Sequence, residues 1–114
     1  MPVSILKQRD YLIASIQSAL TDSEVVEFRD ALITELARYR ARGIIIDVAA
    51  LDVIDSFVSR SIATVARTSK LRGAQTVVVG IQPEVAVAMS QFGLQLDAVM
   101  TALDLEAGID ILGR

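Results

Sequence analysis

The stretch Ile44-Ile45-Ile46-Asp47-Val48-Ala49-Ala50-Leu51-Asp52-Val53-Ile54-Asp55-Ser56 decides the fold. Three consecutive isoleucines place β-branched apolar side chains on both faces of one strand. A strand covered on both sides belongs to a parallel sheet with helices packed over it, not to a half-wet antiparallel sheet. After Val48 the pattern breaks into a short loop carrying Asp52 and Asp55. From Ser56 to Arg72 the apolar period changes to that of a helix burying Val58, Ile62, Val65, Ala66 and Ser69, and Gly73 ends it. Thr76-Val77-Val78-Val79-Gly80 then reads as a second strand covered on both faces. A strand, a helix and another strand of this kind form a right-handed crossover unit.

Upstream, Thr21-Asp22-Ser23-Glu24 has the spacing of a capping box, with acidic residues at the positive end of a helix dipole. The helix it opens carries Val25, Phe28, Leu32, Leu36 and Tyr39 on one face and runs to Arg42, with Gly43 as its stop. Val3 to Lys7 and Tyr11 to Ile16 are apolar segments around Gln8-Arg9-Asp10, a hairpin or two neighbouring strands. Downstream, Pro83 suits the first turn of a helix reaching about Phe92. Leu96 to Met100 is expected as a short strand, and Asp104 caps a closing helix from Leu105 to Leu112. The other glycines are expected where elements end. The whole is an α/β fold, with a mixed, mostly parallel β-sheet and α-helices packed against it. Residues 1–114 read as a single domain, since the 114-residue chain shows no linker, repeat or low-complexity tract.

Composition narrows the function. The chain has no His and no Cys. It therefore lacks the usual general base near neutral pH, the thiolate nucleophile and the commonest metal ligands. No cofactor is expected, because the six glycines never fall in a phosphate-binding pattern. The formal net charge is −3, only Lys7 and Lys70 are lysines, and the arginines are scattered along the chain. Clustered basic residues and aromatic platforms for nucleic acid are absent from this pattern. No apolar run approaches the length needed to cross a bilayer, and the first residues do not read as a signal peptide. A cytoplasmic location is expected.

Chemistry is expected at the carboxyl ends of the strands. Asp47, Asp52, Asp55 and Ser56 fall there within ten residues. Ser56 reads as a helix N-cap whose hydroxyl accepts a backbone N–H. It also reads as a phosphorylation site, because a helix N-terminus tolerates phosphate. The Asp trio offers oxygen ligands to a divalent cation, but no acidic cluster elsewhere completes a shell. Arg60 and Arg67, two turns apart on the same helix, read as a solvated face that borders Ser56 and suits a protein interface.

Asp47, the short loop and Val53-Ile54-Asp55-Ser56 opening a helix resemble the STAS domain family, the fold of anti-anti-sigma factors. Four further segments sharpen the likeness to its RsbS-type stressosome branch. They are Ile54-Asp55-Ser56-Phe57, Ser69-Lys70-Leu71, Gly80-Ile81-Gln82-Pro83 with Val85-Ala86-Val87, and Thr101-Ala102-Leu103-Asp104-Leu105-Glu106. The resemblance implies a non-enzymatic scaffold. Such proteins co-assemble with RsbR-type STAS proteins and hold an RsbT-type switch kinase. They release it when a serine, corresponding to Ser56, is phosphorylated, and an RsbX-type phosphatase resets them. Asp47, Asp52, Asp55, Phe57 and Arg60 would surround the phosphate and the docking partner, and self-association is open. Direct anti-anti-sigma factors carry Asp-Ser-Ser-Gly with phosphate on the second serine. Phe57 and Val58 replace that Ser-Gly pair here, which favours the stressosome branch. Two rivals remain. One is a STAS domain that binds a small ligand or nucleotide. The other is a receiver domain phosphorylated on Asp47, which would also need an acidic pair after its first strand and a late lysine.

Overall fold

The computed structural model describes residues 3–92 and 99–113. The hairpin is formed by β1 (Val3–Gln8) and β2 (Tyr11–Ile16), followed by α1 (Asp22–Tyr39), β3 (Gly43–Asp47) and α2 (Ser56–Leu71). The chain continues through β4 (Gln75–Val79), α3 (Pro83–Gln91), β5 (Met100–Ala102) and α4 (Leu105–Leu112). The strands lie side by side in the order β1-β2-β3-β4-β5. β1 runs antiparallel to β2, and all later pairs are parallel, with Tyr11, Gly43 and Gln75 in register at the amino edge. The sheet is therefore mixed and mostly parallel.

The three isoleucines are fully buried and divide between two cores. Ile44 and Ile46 face α1, α2 and α3 together with Leu12, Ala14 and Val78. Ile45 faces the other way with Ile13, Val77 and Val79, under Leu105 and Ile109 of α4. Each such side chain stabilises the fold by about 1.5–3 kcal/mol through removal from water. Gly108 sits inside α4 rather than at its end, because a Cβ there would lie 2.8 Å from Val79 Cγ1. The glycine lets α4 lie directly on the sheet.

The capping box of α1 forms as its spacing predicts. Glu24 N donates to Thr21 Oγ1 at 3.2 Å, and Thr21 N donates to Glu24 Oε1 at 2.9 Å. The far end differs from expectation. α1 stops at Tyr39, and Arg40 takes the left-handed turn at φ 48°. Gly43 opens β3 instead of stopping the helix. Tyr39 is exposed rather than buried, and its ring meets the cations of Lys7 and Arg38 instead of the core. The final strand is Met100–Ala102, and residues 96–98 of the expected strand lie outside the described residues. Among the described residues, no helix is long and apolar enough to cross a membrane.

Candidate functional site

The loop between β3 and α2 is held from both ends. Asp47 closes β3, and its Oδ1 accepts the Ala49 N–H at 2.9 Å. Leu51 N donates to Val48 O at 2.9 Å, tightening the turn. Leu51 and Ile54 are buried and anchor the loop in the core, leaving Asp52 and Val53 exposed. Asp55 Oδ1 then accepts the Val58 N–H at 2.8 Å and caps α2.

This corrects one expectation. Ser56 is not the N-cap: Asp55 is, and Ser56 is the first helical residue. Asp and Ser cap about equally well, so a sequence with both in succession leaves the boundary open by one position. The carboxylate also meets the positive end of the helix dipole, which favours it over a neutral hydroxyl. The consequence is chemical. Among the described residues the Ser56 hydroxyl makes no hydrogen bond, and neither do the backbone amides of Ser56 and Phe57. Ser56 is half-buried, and Phe57 packs partly against the core. Arg60 is exposed one turn further along. Residues four apart share a helix face, which puts Arg60 on the face of α2 that begins at Ser56. It forms no ion pair among the described residues.

The Asp trio does not act as one ligand set. Asp47 and Asp55 each spend an oxygen on a backbone N–H. No group of three or more acidic residues could hold a metal ion among the described residues.

The neighbouring turn after β4 braces the loop, a contact that the spacing of residues along the chain does not announce. Gln82 Nε2 donates to Ala49 O at 2.9 Å, and Val48 N donates to Val79 O at 3.1 Å. Gly80 has φ +76°, and a Cβ on it would lie 2.7 Å from Ala49 Cβ. On the other side, a shallow apolar depression of about 90 Å³ lies between Ile16, Ala19 and Leu20 and the loop residues Leu51, Val53 and Ile54. Nothing in the spacing of these residues announces it.

Loss of the Asp55 cap has a measurable cost. Asp55→Ala should lower stability by about 1 kcal/mol and leave the sheet intact. Urea unfolding reads it. An unchanged midpoint would mean that Ser56 or water takes over the cap.

Comparison with known proteins places this geometry. A profile of the STAS domain matches residues 3–106. The chain belongs to the STAS family. RsbS of Moorella thermoacetica, solved as a serine-to-glutamate variant, is 36% identical with a TM-score of 0.89, covering 99% of this chain and 96% of that one. A chain from the molecular architecture of the stressosome, described as a signal integration and transduction hub, is 37% identical with a TM-score of 0.85. That match covers 96% of both chains. The RsbT co-antagonist protein RsbRA of Bacillus subtilis strain 168 is 30% identical over 78 residues, 68% of this chain. The matched region is 28% of that relative's length. This STAS chain thus resembles stressosome components along almost all of its length.

Proposed function

We propose that this STAS protein is a non-enzymatic regulatory scaffold of the stressosome type. It co-assembles with RsbR-type STAS proteins, holds an RsbT-type switch kinase, and lets it go when Ser56 is phosphorylated. An RsbX-type phosphatase would restore the holding state.

The observation that carries the reading is the division of labour at the start of α2. Asp55 does the capping, so the Ser56 hydroxyl is left without a structural task. A phosphate on it would meet the unbonded amides of Ser56 and Phe57 and the guanidinium of Arg60. Helix N-termini favour such anions. It would also add about −1.5 to −2 charge beside Asp52 and Asp55. The loop is anchored by buried Leu51 and Ile54 and braced by the turn after β4, so this change is one of charge and shape at a fixed surface. A loss of 1.4 kcal/mol in docking already weakens affinity about tenfold. The depression beside the loop, about 90 Å³, is smaller than the ~300 Å³ of an ordinary ligand pocket.

Intact-mass spectrometry tests the reading. The chain is incubated with ATP and an RsbT-like kinase from the same genome, with and without an RsbR-like partner. The expected result is one adduct of about 80 Da, a single phosphoryl group, mapping to Ser56. An active kinase that leaves the mass unchanged would remove the phosphoacceptor role.

A further inference from the structure

We propose that the edge of the sheet opposite Ser56 docks the carboxylate-bearing edge of a second copy of this chain, so that copies associate head to tail. The basic half of this contact lies away from Ser56, and the acidic half shares Asp52 and Asp55 with the surroundings of Ser56.

The arginines that look scattered in sequence are gathered by the fold. The amino ends of β2, β3 and β4 lie in register, and both α1 and α2 end beside them. Arg42 N donates to Asp10 O at 2.7 Å, and Gln75 N donates to Arg42 O at 3.3 Å. The hairpin turn and the two loops leading into β3 and β4 are thereby laced into one surface. Arg9, Arg40, Arg42, Lys70 and Arg72 stand exposed on it and form no ion pair among the described residues. Lys7 Nζ and the Arg38 guanidinium lie 5.6 and 5.1 Å from the centroid of the exposed Tyr39 ring. These seven residues are most of the 11 basic residues in the chain.

Helix dipoles explain only part of this. Cations are favoured within the last turn of a helix, which accounts for Arg38 and Lys70. Arg9 lies in a β-turn and Arg42 precedes a strand. Arg9 and Arg40 also adopt left-handed backbones, with φ 55° and 48°, the only non-glycine residues to do so among those described. Such positions are ordinarily given to glycine or asparagine. Here a guanidinium is kept at both despite the backbone cost, and both lie on this edge.

The opposite edge supplies the complement. Asp52, Asp55, Glu84, Asp104 and Glu106 are exposed around the starts of α2, α3 and α4. Each edge also projects a leucine. Leu71, 89% exposed, stands between Lys70 and Arg72, and Leu103, 91% exposed, precedes Asp104. A nucleic acid would answer the positive charge but leave Leu71 uncovered. A second copy answers both features. The contact is heterologous, so it propagates into chains or closes into rings. It shares the carboxylate edge with Ser56, so a second copy and a partner docked at Ser56 compete for it. With a Debye length of about 8 Å at physiological salt, only the facing edges attract.

Sedimentation velocity of the full chain at low and high salt tests this. Association is expected at low salt and weakens as salt rises. Arg42→Glu with Arg72→Glu should lower the association constant about tenfold or more, because like charges then face each other. Asp52→Lys with Glu84→Lys should do the same, and both doubles should keep the wild-type circular dichroism. Mixing the two doubles should restore association, since each then offers what the other lacks. Arg40→Gly should melt no lower than wild type yet associate less. A wild type that stays monomeric at low salt, or doubles that fail to rescue each other, would overturn the proposal. Binding of a DNA oligonucleotide by the basic edge without self-association would reassign that edge.

Discussion

Ser56→Ala should take up no phosphoryl group from an RsbT-type kinase and should hold that kinase whether or not ATP is present. The fold should not notice the change. Among the described residues the Ser56 hydroxyl makes no hydrogen bond, and Asp55 keeps the cap. Alanine is also the better helix former, so stability should move by no more than about 0.5 kcal/mol. Had Ser56 been the cap, the same substitution would cost about 1 kcal/mol. One urea titration therefore checks the local structure while a pull-down checks the function. Ser56→Asp should mimic the phosphorylated state only in part, because one carboxylate carries less charge and fewer acceptor oxygens than phosphate. Kinase release from the alanine variant on adding ATP would move the switch to another residue.

The largest loss of stability is expected from Gly80→Ala. Two penalties combine there. A φ of +76° costs an L-residue about 1–2 kcal/mol. The new Cβ would lie 2.7 Å from Ala49 Cβ and 3.1 Å from its Cα. Neither atom is the free end of a flexible side chain, so the backbone must shift, at about 1–3 kcal/mol. The total, about 2–5 kcal/mol, is a large share of the ~5–15 kcal/mol that keeps a domain folded. Gly73→Ala is the matched control, with φ +80° and nothing within 4 Å of the added carbon. The difference between their unfolding free energies isolates the contact with Ala49. Because Ala49 begins the loop that carries Asp52 to Ser56, the Gly80 variant should also hold the kinase less well. Equal losses at the two glycines would mean that the two turns do not brace each other.

Much of this was legible because the signals were local. Ile44 to Ile46 declare a doubly covered strand without any knowledge of what covers them. Thr21 with Glu24, Pro83, and Asp104 ahead of Leu105 mark helix starts through hydrogen bonds that span only a few residues. The misses have a common cause in tertiary context. Arg40 and Gly43 both suit the end of α1, and the turn that joins β3 to the sheet decides for Arg40. Tyr39 keeps the helical period of the buried face, yet its ring is exposed and meets Lys7 and Arg38. Asp55 and Ser56 compete for one cap, and the carboxylate wins on charge. The bridge from Gln82 to Ala49 spans 33 positions, and the gathering of arginines depends on strand register. Neither leaves a trace in spacing along the chain.

Every strand pairs with the one synthesised just before it. A nascent chain therefore extends its sheet in the order of translation, without reserving a slot for a later insertion. The exception is the second face. Ile45, Val77 and Val79 are shielded chiefly by α4, which begins at Leu105. At ribosomal speeds of about 5–20 residues per second, the interval from Val79 to Leu105 lasts roughly one to five seconds. During it an apolar surface is already assembled and still wet. The moment of greatest aggregation risk therefore comes late in translation. A ribosome stalled between β4 and α4 would present a nearly finished sheet with one side bare.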